Sequence, residues 1–284
     1  MIGAFVRLWR RAPLWRWTVL ATAAATAMTF AFPPNRPTIV TIPPPQETPA
    51  APPQATPVKP NPPNDANLPT AGAAYSTRLP LGAQSVPLPP GRWVALAVNT
   101  STGSAAAPPS VNVFLALILG SRLTAAALIS GSTAPDPKES GFPAPLETQI
   151  PSFYYRRVLS AIDHGPLDLW VCGNTRPGQW TDPLRQAALG VIRQQNLTLP
   201  DHLDSAVFRL ADKRNWLSAN FMFTDPNGAA DPAQPWTEAA VLSDSGPLSH
   251  LERVRRWAKA WHEITRRGFA NALTQGEEAH VAPP

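Results

Sequence analysis

The chain divides by the spacing of its apolar residues. Thr18 to Phe32 (TVLATAAATAMTFAF) runs fifteen residues without a charge, behind Arg7, Arg10, Arg11 and Arg16 and the aromatics Trp9, Trp15 and Trp17. A basic flank with interfacial aromatics predicts a transmembrane helix at 17–32 with its N-terminus cytoplasmic. At about 1.5 Å per residue the uncharged run covers roughly 22 Å of a hydrocarbon core about 30 Å thick, so Trp15 and Trp17 must extend the helix while Arg16 snorkels. Ala25-Thr26-Ala27 also fits the small-x-small cleavage pattern of a signal peptide. A retained anchor and a cleaved signal therefore stand as alternatives, and both export the remainder of the chain.

From Pro33 to Pro69 the pattern is lost. Fourteen prolines occur there, with Ile39, Val40 and Ile42 as almost the only apolar side chains. Such a segment buries too little surface to offset its ordering entropy and favours extended polyproline II. Its 37 residues at about 3.1 Å each reach on the order of 100 Å when extended. It reads as a spacer.

Beyond the spacer two periods alternate. A turn at Pro90-Gly91 precedes the apolar run Trp93, Val94, Leu96 and Val98, which predicts a strand. Val111 to Ser130 holds two apolar runs around Gly120-Ser121, the pattern of a hairpin with a glycine-first two-residue loop. The same stretch is long enough for a second membrane helix, but Gly-Ser-Arg interrupts it and no charge asymmetry orients it. Phe153 to Ala161 reads as a short helix and Leu167 to Cys172 as a strand. Asp182 and Pro183 open a helix to about Gln195, with Asp as N-cap, Pro at the first position, and Leu184, Ala187, Ala188, Val191 and Ile192 on one face. Leu203 to Leu210 and Trp216 to Phe223 read as strands joined by the turn Ala211 to Asn215, with Phe221 and Phe223 alternating against Asn220 and Met222. The last helix, His250 to Arg267, carries Leu251, Val254, Trp257, Ala258, Trp261 and Ile264 on one stripe, with Gly268 as its expected stop. About six strands in hairpin connection with two main helices predict an α+β domain with an antiparallel sheet. The expected organisation is a basic cytoplasmic N-terminus (1–16), a transmembrane helix (17–32), a Pro-rich linker (33–74), one globular domain (75–273) and a flexible tail (274–284).

Composition changes the picture in two places. The formal charge of +5 owes four units to the arginines ahead of the hydrophobic segment, leaving the rest of the chain near +1. The basic pI therefore gives no case for nucleic acid. The single Cys172 excludes an internal disulfide and any CxxC pair, and its place on an apolar strand predicts a core thiol.

Catalytic fingerprints are absent from the sequence. His164, His202, His250, His262 and His280 form no HExxH, and there is no GxSxG, P-loop or GxGxxG. Asp163-His164 and His262-Glu263 are adjacent, but neighbours on a strand or helix point apart, so neither is a dyad. No catalytic residue, cofactor or metal site is assigned. The last helix is basic, with six Arg and Lys against Glu252 and Glu263. It could lie on an anionic membrane, but the expected role is to bury its tryptophans in its own domain. Trp93, Trp170, Trp180, Trp216 and Trp236 are likewise expected in the domain rather than as a glycan platform.

LPPGRW at Leu88 to Trp93, LTLPDHLDSAVFRLADKRNWLSANFMFTDP at Leu197 to Pro226, and the terminal RWAKAWHEITRRGF together resemble a family of exported, membrane-anchored proteobacterial proteins without an assigned activity. The resemblance implies an envelope location and no site residue. The plan of anchor, stalk and terminal domain also resembles the energy transducer TonB, although the repeated Glu-Pro and Lys-Pro runs of that family are missing here. The sequence thus predicts a single-pass protein of the bacterial inner membrane whose periplasmic module binds an envelope protein, glycan or lipid. An exported hydrolase is the alternative.

Overall fold

The computed structural model describes residues 67–103, 108–139, 155–161, 165–225, 248–274 and 276–284. The expected membrane helix at 17–32 and most of the Pro-rich linker lie outside these residues, as do Asp163, His164 and Trp236. Among the described residues no helix is long and apolar enough to cross a membrane.

The strands in chain order are β1 (Ala74–Tyr75), β2 (Arg78–Leu81), β3 (Gln84–Pro87), β4 (Trp93–Ser101), β5 (Ser110–Leu119), β6 (Arg122–Ser132), β7 (Tyr155–Ala161), β8 (Leu167–Thr175), β9 (Leu203–Ala211) and β10 (Trp216–Phe223). Helix α1 is Pro183–Gln194 and α2 is Leu248–Phe269. Eight strands pair in the order β1-β4-β5-β6-β10-β9-β8-β7, every neighbour antiparallel, while β2 and β3 form a separate hairpin. The α+β antiparallel architecture agrees with the sequence, but the main sheet has eight strands rather than about six.

The sheet is covered on both faces. One face packs Trp93, Val113, Ala127, Trp170, Phe208 and Phe221 against the β2–β3 hairpin and the α2 residues Leu251, Val254, Trp257, Ala258 and Trp261. Ile264 completes the expected stripe of α2 from its margin. The other face packs Leu96, Phe114, Ala126 and Met222 against Trp180 and Leu184, Ala187, Ala188, Val191 and Ile192 of α1. Met222, read from the sequence as the outer side of an alternating strand, is fully buried for this reason. Trp93, Trp170 and Trp180 are core residues, and Trp257 stacks on Trp261 at 5.5 Å, so the apolar stripe of α2 is used inside the domain.

Two elements differ from the sequence reading. The described part of Phe153–Ala161 is not helical but forms β7, the edge strand beside β8. Tyr155 stacks on Trp170 at 4.5 Å and the Arg255 guanidinium lies 5.3 Å from its ring, contacts that arise only once β8 and α2 are in place. Tertiary pairing here overrides local pattern. Gly268 does not stop α2, which continues to Phe269. A Cβ at 268 would sit 2.7 Å from Pro87 Cδ, so this glycine permits close approach of α2 to β3. Past α2, a 3-10 turn spans Glu277–His280, Glu278 is buried 3.8 Å from Arg78, and Val281 packs on the core.

Candidate functional site

The end of the sheet beside the β5–β6 turn gathers polar residues from three segments. Gly120, with φ +60°, and Ser121 form the two-residue loop between β5 and β6 that the sequence predicts. A register shift between Leu117 and Ile118 leaves Thr124 as the extra residue of β6. Its hydroxyl donates to the Leu117 carbonyl at 3.1 Å, and its own carbonyl accepts from the Thr224 N–H at 3.1 Å. The bulge thereby ties the end of β10 to the start of β6.

Helix α1 supplies the second wall through the way it ends. Asp182 caps its start, accepting from the Arg185 N–H at 3.0 Å with Pro183 at the first position, as the sequence predicts. At the other end Asn196 takes φ +52°, its N–H donates to Arg193, and the Leu197 N–H donates to Ile192. This is a Schellman ending with asparagine in the left-handed position. The chain then turns back to β6, where the Thr198 N–H donates to the Ser121 carbonyl at 2.8 Å and the Thr198 carbonyl accepts from Leu123 at 3.1 Å.

The result is a cleft of about 260 Å³ lined by Arg122, Thr198, Asp201, His202, Thr224 and Asp225, among others. Arg122 and Asp201 are exposed, while His202 and Asp225 are each 6 % exposed and belong to its buried side. Asp225 faces Arg253 of α2 at 4.0 Å. The His202 Nε2 is buried without a hydrogen-bond partner.

Two histidine–carboxylate pairs join α2 to the sheet, one fully buried and one with its carboxylate partly exposed. His250 Nδ1 meets Asp204 of β9 at 2.6 Å, and its Nε2 is buried without a partner. His262 Nε2 meets Asp168 of β8 at 2.5 Å, with its ring stacked on Phe208. A carboxylate holding one imidazole nitrogen is the support a general base requires, but His250 has no exposed surface. The pair fastens the helix and is closed to substrate. Glu263, adjacent to His262, points away to Arg266, whose hydrogen bonds hold its carboxyl below the usual range. Cys172 is fully buried in β8, and burial pushes its thiol well up, so it carries no nucleophilic thiolate. Among the described residues no three of His, Cys, Asp and Glu converge as metal ligands.

Sequence reasoning found none of these groupings. His202, His250 and His262 are scattered in the sequence, and Leu197–Pro226 holds Thr198, Asp201, His202, Asp204, Thr224 and Asp225 without any spacing that marks a site. The carboxylates for the histidines lie 46 and 94 residues away. Fold and site together define an α+β domain with a small polar cleft at a sheet end among the described residues. No family model, curated protein or solved structure matches the chain.

Proposed function

We propose that the chain is a single-pass protein of the bacterial inner membrane, anchored through residues 17–32 with residues 1–16 in the cytoplasm. Its α+β domain is a periplasmic, noncatalytic module that binds an envelope protein, glycan or lipid. The basic flank and apolar run support the anchor, and the Pro-rich linker supports a domain held away from the bilayer.

The observation that carries binding over catalysis is the contrast between the cleft and the buried histidines. Arg122 is exposed at the cleft, and its side chain meets no hydrogen-bonding or ionic partner among the described residues. His202, His250 and His262 are buried, and the last two are fastened to carboxylates. An arginine left unpaired on an open surface has its bidentate guanidinium fork available to a carboxylate or phosphate.

Photocrosslinking in living cells tests this reading. A photoreactive residue at Thr198 is expected to give a discrete crosslinked species that Arg122→Gln removes, while one at Lys213, on the β9–β10 turn, gives none. A crosslink of equal strength from Lys213, or one insensitive to Arg122, would contradict the assignment of the cleft. The alternative, an exported hydrolase, draws on the Asp204–His250 and Asp168–His262 pairs. It requires His250→Gln or His262→Gln to abolish a hydrolytic activity without unfolding the domain.

A further inference from the structure

Two polar side chains on the cleft and one imidazole nitrogen buried at its side are without mates among the described residues. Arg122 and Asp201 are exposed lining residues, and neither meets an ionic or hydrogen-bonding side-chain partner among the described residues, nor do they pair with each other. The third is His202, 6 % exposed, with its Nε2 unbonded. Asp225, by contrast, already has Arg253 as counter-ion. A guanidinium and a carboxylate that share a cleft without neutralising one another leave both signs of charge available. Each suits a different group: the planar guanidinium fork takes a carboxylate in bidentate fashion, and the Asp201 carboxylate takes an ammonium.

Size narrows the ligand further. A cleft of about 260 Å³ lies just below the roughly 300–1,000 Å³ of sites that enclose drug-sized molecules. It has room for one or two amino-acid residues and not for a folded surface. Mixed charge also argues against a phosphate, because the Asp201 carboxylate lines the same space as Arg122 and would repel a dianion.

Resting on the reading of this domain as a binding module, but replacing a macromolecule by a small molecule as the occupant of the cleft, we infer that it takes a small zwitterion, a free α-amino acid or a dipeptide. Its carboxylate lies on Arg122, its ammonium on Asp201, and a further polar atom is within the reach of His202. Thr198 and Thr224 flank the ligand. The Thr224 hydroxyl already donates to the Leu123 carbonyl at 3.3 Å, which leaves its oxygen free to accept.

Isothermal titration of the full chain in lipid nanodiscs tests this with glycine, alanine, glutamate, lysine and their alanyl dipeptides. At least one free zwitterion is expected to bind saturably, and its N-acetyl and C-amide derivatives each bind about tenfold more weakly or worse, the loss of one charge-assisted contact. Arg122→Gln is expected to erase the preference for free acid over amide and to keep the preference for free amine. Asp201→Asn is expected to do the reverse. Both residues are exposed, so the variants should retain the parent circular dichroism. The inference is overturned if no zwitterion binds at millimolar concentration, if blocked and free forms bind alike, or if the two variants lose both preferences together. If titration fails while the Arg122-dependent crosslink from Thr198 persists, the ligand class is wrong and the binding module stands. If titration succeeds while the crosslink fails, the zwitterion stands and the macromolecular partner at the cleft falls. If both fail, both readings fall.

Discussion

The buried histidines show how much one carboxylate decides. Asp204 is the group that keeps the Nδ1 of fully buried His250 satisfied. Removing one partner of such a buried pair leaves the other stranded, at about 3–5 kcal/mol, whereas replacing both with apolar groups is often close to neutral. Asp204→Ala is therefore expected to lower the urea midpoint sharply, and the double variant Asp204→Leu with His250→Leu to recover most of the loss. A double variant no better than the single would show that the pair is not what fastens α2. Cys172 gives a second test at this scale. With its thiol fully buried and held protonated, alkylation by iodoacetamide near neutral pH should require unfolding, and its rate should rise with urea along the unfolding curve. The folded thiol has its pKa raised, whereas an unfolded one ionises near pH 8.5. This group's contribution to stability is therefore complete below that pH and is lost as pH rises above it.

Among the elements, the two helices were legible and their endings were not. Asp182-Pro183 at the start of α1 is a local signal and folds as a local signal should, with cap and first-turn proline both in place. Asn196 in the left-handed region could not be separated by pattern from any other polar residue after Gln195, because glycine is the residue that usually marks that position. Gly268 misled for the opposite reason. A glycine after a helical stripe reads as a stop, but here its missing Cβ serves the contact with Pro87. Gly268→Ala should therefore destabilise the domain although alanine is the better helix former. The clash belongs to the overpacking range of about 1–3 kcal/mol. Thermal unfolding of the variant measures it, and a rise in Tm would show that helix propensity outweighs the contact. β7 was misread because Arg156, Arg157, Val158 and Leu159 have no period-2 alternation to announce a strand, and partners on β8 and α2 hold it in place.

Across the whole molecule, local pairing was readable and long-range assembly was not. The hairpins at Val111–Ser130 and Leu203–Phe223 each carry their own turn and apolar runs, so the sequence alone places β5, β6, β9 and β10. Their union through the β6–β10 edge cannot be read from either hairpin. The cleft exists only because of that union. It joins Arg122 at the start of β6, Thr198 to His202 after α1, and Thr224 and Asp225 after β10, residues that no sequence window contains together. A site of this kind leaves no motif.

The claim on which the functional account rests is that this domain faces the periplasm on a retained anchor. A periplasm-dependent reporter fused after Leu273, combined with membrane fractionation and mass determination of the mature N-terminus, tests it most directly. The account predicts an active reporter on an uncleaved, membrane-bound protein. An inactive reporter would place the domain in the cytoplasm and contradict the account, and a soluble product beginning near Met28 would contradict the anchor while leaving the export intact.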